Sequence, residues 1–273
     1  MTVQLSPEIE AAGYRLSHVT ETGSTNDDAA ASASAGDPGR RWFVADMQTA
    51  GRGRQGRAWA SPHGNLHASL LLVEPCEPAV APQLGFVAGV ALHDAVARAT
   101  GLAPPRLALK WPNDLLLDGM KVSGLLLEGY QVGQKGVFAV VIGFGLNIAD
   151  APEDTAYGTR ALRSVAPSLA RDGLFGHLAA TFAERLAAWQ VWRAAGSADP
   201  FARVRQEWLA RASGLGGPVT ARLASGQRHG TFKGLDRFGR LELETEAGLE
   251  HIDAGDIYLV APTASVSSLN PAR

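Results

Sequence analysis

Cysteine is almost missing from the chain: Cys76 stands alone, which excludes an internal disulfide and a thiolate metal cluster and leaves the thiol as a small apolar side chain. Excess charge of one sign is missing too. The 25 Lys and Arg against 27 Asp and Glu leave −2 at pH 7, which argues against a protein whose main task is gripping nucleic acid. Long apolar runs are absent. Val137 to Ala149, the longest, carries two glycines and an asparagine and falls short of the roughly 20 residues of a membrane span. Met1 to Glu10 has acidic residues but no Lys or Arg, and no apolar stretch follows to make a signal peptide. No internal repeat or heptad is visible. These absences predict a cytoplasmic protein with no membrane partner.

What is present suits an enzyme-sized fold. The 273 residues are 46% hydrophobic, enough for one large core and a small second domain. Ser24-Thr25-Asn26-Asp27-Asp28 predicts a helix start with Ser24 as N-cap and acidic residues in the first turn, running to a glycine stop at Gly36. Arg41 to Met47 reads as a strand, and Asn65 to Val73 alternates as a strand with at least one buried face. The spacing of Leu84, Val87, Ala88, Ala91, Leu92, Ala95 and Val96 predicts an amphipathic helix over Gln83 to Thr100, closed by Gly101. Strands follow at Leu107 to Trp111, Asp114 to Leu117, Met120 to Tyr130 and Val137 to Ile142, with Asp118-Gly119 as a hairpin turn placing Lys121 just beyond it. Two helices are expected at Asp172 to Ala195 and Pro200 to Ser213. After Gly214, five short runs (Val219 to Leu223, Gly230 to Leu235, Arg240 to Thr245, Leu249 to Ile252, Ile257 to Val260) predict a small barrel, and the last ten residues a frayed tail.

Gly51-Arg52-Gly53-Arg54-Gln55-Gly56-Arg57 carries the most chemical information. Glycine lets the main chain approach a ligand, and arginine offers a permanently charged fork for carboxylate and phosphate oxygens. Such a loop wraps an anion, yet arginine-glycine runs also occur in RNA-binding tails. Other segments carry similar double readings. Ser24-Thr25-Asn26 suits a helix cap or a polar ligand. Trp111-Pro112-Asn113 suits an ordinary turn, Lys121 a solvated lysine, and Gly124 a strand bulge or a close ligand approach. Trp59 packs under its loop on the simplest reading, and His63 and His67 have no companions at metal spacing.

Five segments in order, Ser24-Thr25-Asn26, Gln48 to Arg57, Lys110-Trp111-Pro112-Asn113-Asp114, Lys121 to Glu128, and Gly143-Phe144-Gly145-Leu146-Asn147-Ile148, resemble the biotin protein ligase family. The match is close over Gly23 to Asn147 and covers the terminal strands in outline. It implies an α+β fold: a central mixed β-sheet flanked by helices, of the class II synthetase-like kind, with a small C-terminal SH3-like β-barrel. A catalytic domain over 1–213 and a barrel with tail over 214–273 follow. The implied reaction has two steps. Biotin carboxylate attacks the α-phosphate of ATP, giving biotinyl-5′-adenylate and pyrophosphate, and a lysine of the biotin carboxyl carrier protein of acetyl-CoA carboxylase then takes the biotinyl group.

Residue by residue, the resemblance sets Ser24, Thr25, Asn26, Gln48, Arg52, Gly53, Arg54, Lys121 and Gly124 around biotin, and Arg57, Lys110, Trp111, Asn113 and Asn147 on the ATP side. Lys121 and Arg54 are the implied catalytic cations, with Asp114 positioning the incoming lysine or its proton. Two unit negative charges at 4 Å repel by about 4 kcal/mol at an effective dielectric near 20, so one placed cation is worth roughly a thousandfold in rate. Mg²⁺ is expected to share that load on the phosphates. The glycine-arginine loop is expected to order on binding biotin or its adenylate. The stretch before Ser24 is too short for the helix-turn-helix of the repressor members, so no DNA binding is expected. Departures are Gly23 for a common serine, Phe144 for a smaller aliphatic, and Val260 where a cation would close the last strand. The rivals are a lipoate ligase, a biotin sensor without turnover, and an RNA-binding protein.

Overall fold

The computed structural model describes residues 3–133, 136–153, 158–196, 198–253 and 255–259. Pro7–Ala11 (α1) and Arg15–Thr22 (β1) come first, and neither is announced by apolar periodicity. β1 is a largely exposed edge, a strand because it pairs in parallel with Arg41–Gln48 (β2). Thr25–Ser34 (α2) connects them. Ser24 occupies its N-cap position, but the side chain makes no capping bond there; only its carbonyl serves the helix, accepting from Asp28 N at 3.1 Å.

Leu66–Val73 (β3) is buried on both faces except at its end. Gln83–Thr100 (α3) follows and stops at Gly101, whose φ of 73° is the left-handed turn that favours glycine. Leu107–Lys110 (β4), Asp114–Leu117 (β5) and Met120–Val132 (β6) form successive hairpins. Asp118 and Gly119 both have positive φ, 49° and 80°, as a two-residue turn matching the strand twist requires. Val137–Leu146 (β7) is longer than the apolar run alone predicts, because Gly143, Phe144 and Gly145 stay paired between β3 and β6. Arg171–Ala194 (α4) and Ala202–Leu209 (α5) are the last helices. The second is shorter than expected, since Ala212 leaves it to bridge Leu109 at the sheet edge.

The main sheet has the order β1-β2-β3-β7-β6-β5-β4, mixed in direction. One face carries α3 and α4 over the large core, including Trp42, Phe144, Phe175 and Phe182. On the other, α2 covers only a small cluster around Phe43, Leu71 and Val141. That second face is where a ligand finds room.

Pro218–Leu223 (β8), Gly226–Leu235 (β9), Leu241–Thr245 (β10), Gly248–Ile252 (β11) and Asp256–Leu259 (β12) make a second, antiparallel sheet of order β11-β10-β9-β8-β12. The five antiparallel strands fit the expected small SH3-like domain, but they do not close into a barrel: among the described residues no ladder joins β11 to β12. A bulge between Glu242 and Leu243 bends it. Its buried residues, Phe232, Leu241 and Ile257 among them, belong to the same apolar cluster as α3. Val260 and the tail lie outside the described residues.

Candidate active site

Two glycines on β7 lower the floor of the open sheet face. A Cβ on Gly143 would lie 2.4 Å from Asn26 Oδ1, and one on Gly145 would lie 2.4 Å from the Trp59 ring. Any larger residue would lift Asn26 or Trp59 off the sheet. Phe144, between them, sends its ring the other way to Trp42 and Phe182, at centroid distances of 5.5 and 6.2 Å. The departure noted in the sequence therefore belongs to core packing. Above the floor is a cavity of about 310 Å³, walled by α2, the glycine-arginine loop, the start of β6 and Asp256.

One end of the cavity is lined by neutral hydrogen-bonding groups, with the Glu128 carboxylate behind them. Gln48 Oε1 accepts from the Thr25 backbone N at 2.8 Å, and its Nε2 donates to Ser61 Oγ at 2.9 Å. Thr25 Oγ1 and Ser69 Oγ share a proton at 2.7 Å, Ser69 Oγ donates to Asn26 Oδ1 at 2.5 Å, and Asn26 Nδ2 donates to Glu128 at 2.6 Å. Thr25, Asn26 and Ser69 are all buried. Groups of this kind suit the donors and acceptors of a polar ring rather than a charge.

The other end is cationic. Lys121 Nζ lies 2.7 Å from Asp114 Oδ1 and over the Trp59 ring at 5.4 Å. Gly124 lies beneath this pair: a Cβ there would be 3.1 Å from Lys121 Nζ and 3.3 Å from the Trp59 ring, a tight contact that both would have to ease by a few tenths of an ångström. Lys110 approaches the second Asp114 oxygen at 3.4 Å from behind; burial pulls its pKa down, and the Asp114 charge opposes that pull. Arg54 donates to Asn113 Oδ1 at 3.3 Å and to Gly255 O at 3.2 Å, while Arg57 pairs with Asp256 at 2.9 Å.

The loop itself is a closed hairpin. Gly53 N donates to Arg57 O at 2.7 Å and Trp59 N to Gly51 O at 2.9 Å, with Gln55 and Gly56 turning at positive φ of 57° and 70°. Arg52 reaches across it to Asp27 with bonds of 2.6 and 2.5 Å. Those bonds push the Arg52 guanidinium further toward its charged form and the Asp27 carboxyl below its usual range.

The structure thus brings thirteen expected residues to one cavity: Ser24, Thr25, Asn26, Gln48, Arg52, Gly53, Arg54, Arg57, Asn113, Asp114, Lys121, Gly124 and Asn147 all line it. Trp111 and Lys110 stand off its wall. The Trp111 indole is buried and donates to Gly239 O at 3.1 Å, fastening the second sheet to the first. Sequence reasoning passed over Ser69 and Asp256, and gave Glu128 and Gly143 no role of their own within the segments that contain them. Ser69 alternates with His67 and Leu71 on the less apolar side of β3, which the structure buries as well; nothing local marks Asp256. His67 is an ordinary buried residue: burial lowers its pKa, and Nε2 meets Pro62 O at 3.1 Å. Among the described residues no group of three or more His, Cys, Asp or Glu is placed to hold a metal.

Residues 19–147 match the biotin/lipoate A/B protein ligase family, and residues 214–260 match the biotin protein ligase C-terminal domain. The chain is 42% identical to the biotin–[acetyl-CoA-carboxylase] ligase of Paracoccus denitrificans, over 88% of this chain and 98% of that protein. It belongs to the biotin protein ligase family. Against a bifunctional ligase/repressor of Bacillus subtilis the identity is 32%, over 94% of this chain and 78% of that protein. Among solved structures, the Aquifex aeolicus biotin protein ligase in complex with biotin and ATP aligns with a TM-score of 0.74 at 27% identity, covering 90% of this chain and 98% of that one. No helix among the described residues is long and apolar enough to cross a membrane.

Proposed function

We propose that the chain is an ATP-dependent ligase that activates biotin as biotinyl-5′-AMP and transfers it to a lysine of the biotin carboxyl carrier protein of acetyl-CoA carboxylase. One observation carries the reading: a single glycine-floored cavity has a neutral hydrogen-bonding end, fit for a ring urea, and a cationic end, fit for a carboxylate facing a triphosphate. In this reading Ser24, Thr25, Asn26, Gln48, Gly53 and Gly124 hold biotin, and Arg57, Asn113 and Asn147 face ATP. Arg52 and Arg54 close over the product.

Chemistry begins at Lys121. Its ammonium exchanges Asp114 for the biotin carboxylate and offsets the repulsion as a carboxylate oxygen attacks the α-phosphorus and pyrophosphate leaves. Asp114, released from Lys121, accepts the proton of the carrier lysine as its amine attacks the acyl carbon and AMP departs. The closed loop over Trp59 keeps water from the mixed anhydride until the carrier arrives. Mg²⁺ is proposed to accompany ATP. Asp114 and Asp256, the carboxylates on the wall, are engaged by Lys and Arg, so this donor set does not form a protein-held site and the ion would ride on phosphates and water. We place residues 1–213 in the catalytic unit and 214–273 in an accessory unit. A cytoplasmic setting fits the carrier.

Pro7–Ala11 form α1 and Arg15–Thr22 the sheet strand β1, and we propose ligase activity without operator binding. The test is transfer of radiolabelled biotin to a carrier domain with ATP and Mg²⁺. Labelling of the carrier lysine is expected; pyrophosphate release with lipoate and none with biotin would overturn the reading.

A further inference from the structure

Glu128 takes part in no step above, yet it ends the hydrogen-bond network of the neutral pocket. Its carboxylate accepts from Asn26 Nδ2 at 2.6 Å and stands 3.9 Å from Arg52. The Tyr130 hydroxyl also bonds to it, held in its donor form because burial first, and the Glu128 charge second, push it up to about 12. An ionised carboxylate only accepts. The Asn26 amide must therefore turn its N–H to Glu128 and its oxygen to Ser69, which donates to it at 2.5 Å.

Ser69 has one proton, and that contact uses it. The 2.7 Å separation of Thr25 Oγ1 and Ser69 Oγ then requires the Thr25 proton. Gln48 Oε1, at 3.1 Å from Thr25 Oγ1, competes for the same proton. It already takes the Thr25 backbone N–H at 2.8 Å, and with the Ser69 proton spent on Asn26 the shorter Thr25–Ser69 contact can be bonded only by the Thr25 hydroxyl. The protons run Thr25 to Ser69 to Asn26 to Glu128. Thr25, a lining residue of the cavity, is then left with a hydroxyl oxygen that can accept.

We propose that Glu128 is a specificity-determining positioning residue: it fixes the direction of this chain, so that Thr25 presents an acceptor and selects a substrate carrying an N–H donor, as a cyclic urea does. The inference rests on the biotin reading and adds to it the group that sets the polarity. An analogue with one urea N–H replaced by a ring oxygen would meet oxygen with oxygen. A site built to bond N–H is expected to reject it by at least about a hundredfold.

Glu128→Gln supplies an amide that both donates and accepts, so Asn26 is free to turn, the chain to reverse, and Thr25 to donate. The experiment measures kcat/KM for biotin and for the ring-oxygen analogue with wild type, Glu128→Gln and Glu128→Asp. The ratio is expected to fall to within about tenfold in Glu128→Gln and to stay within a few-fold of wild type in Glu128→Asp, which keeps the anion. A merely structural lesion would slow both substrates alike. An unchanged ratio in Glu128→Gln would therefore overturn the proposal. Should that variant not fold, Ser69→Ala cuts the chain between Asn26 and Thr25 and is expected to lower the ratio; an unchanged ratio there overturns it equally. Wild type that adenylates neither compound would sink the ligase reading instead, which separates the two failures.

Discussion

The Asp256 carboxylate holds the Arg57 guanidinium at 2.9 Å, tying the second sheet to the glycine-arginine loop across 199 residues of sequence. Arg54 is drawn to the same carboxylate at 3.6 Å. One carboxylate of the second sheet thus engages two of the loop's arginines.

Removing that anion should loosen the loop far more than the fold. Asp256→Ala is expected to speed tryptic cleavage after Arg54 and Arg57 several-fold, with biotin and ATP together restoring protection. Exposed ion pairs contribute about 0–1 kcal/mol, so thermal stability should shift little. Cleavage as slow as in wild type would show that the latch has no grip on the loop.

The proposed roles of Lys121 and Asp114 divide between the two half-reactions. Lys121→Ala is expected to cut adenylate formation by about a thousandfold while leaving the fold intact, because one interaction aimed at developing charge is lost and little burial goes with it. Asp114→Asn should leave Lys121 in place and slow transfer from preformed adenylate more than adenylation. Single-turnover assays of each step read the two effects; equal losses in both steps for both variants would refute the division of roles.

Local chemistry made much of this legible. The helix over Gln83 to Thr100 and the Asp118-Gly119 turn are written in spacing and in residues that tolerate positive φ. The exposed edge β1 was not, because its strand character comes from pairing with β2 rather than from an apolar face. The terminal strands follow a related logic: short alternating runs specify strands, whereas closure into a barrel depends on which edges meet. In the site, polar residues within motifs were readable, but Asp256 and Ser69 act through contacts made 199 and 43 positions away in sequence. Trp111 shows the converse. It sits in a chemistry-bearing motif and fastens Gly239 of the second sheet.

The low floor of the cavity is open to a direct steric test. In Gly145→Ala the new methyl would fall 2.4 Å from the Trp59 ring, and in Gly143→Ala 2.4 Å from Asn26 Oδ1. Overpacking of this kind costs about 1–3 kcal/mol, so each variant should fold with a lowered melting temperature. KM for biotin is expected to rise at least about tenfold in both, since 1.4 kcal/mol of lost binding is a factor of ten. Displacing Trp59 should also raise labelling of bystander amines in Gly145→Ala only. Unaltered KM in either variant would mean that biotin does not lie on this floor.

Acid stability should depend on Asp37, which gathers the end of α2 and the first two strands. Its carboxylate accepts from Arg15 at 2.5 Å, Arg41 at 2.9 Å, the Gly39 backbone N at 2.8 Å and Ser32 at 3.1 Å. Burial alone would raise its pKa, but these donors outweigh it and bring the group from 3.8 down to about 2. Because the folded value is the lower one, the stabilisation is fully present above the unfolded pKa near 3.8 and is lost as pH falls through about 2. The shift corresponds to at most about 2 kcal/mol, less whatever solvent screens at Arg15. Urea unfolding of wild type and Asp37→Asn should therefore differ by about 1–2 kcal/mol at pH 7, with roughly half of that gap gone at pH 3. A gap of constant size across that range would assign the loss in the variant to altered packing rather than to the charge, because only the charged form of Asp37 gains from its two arginines.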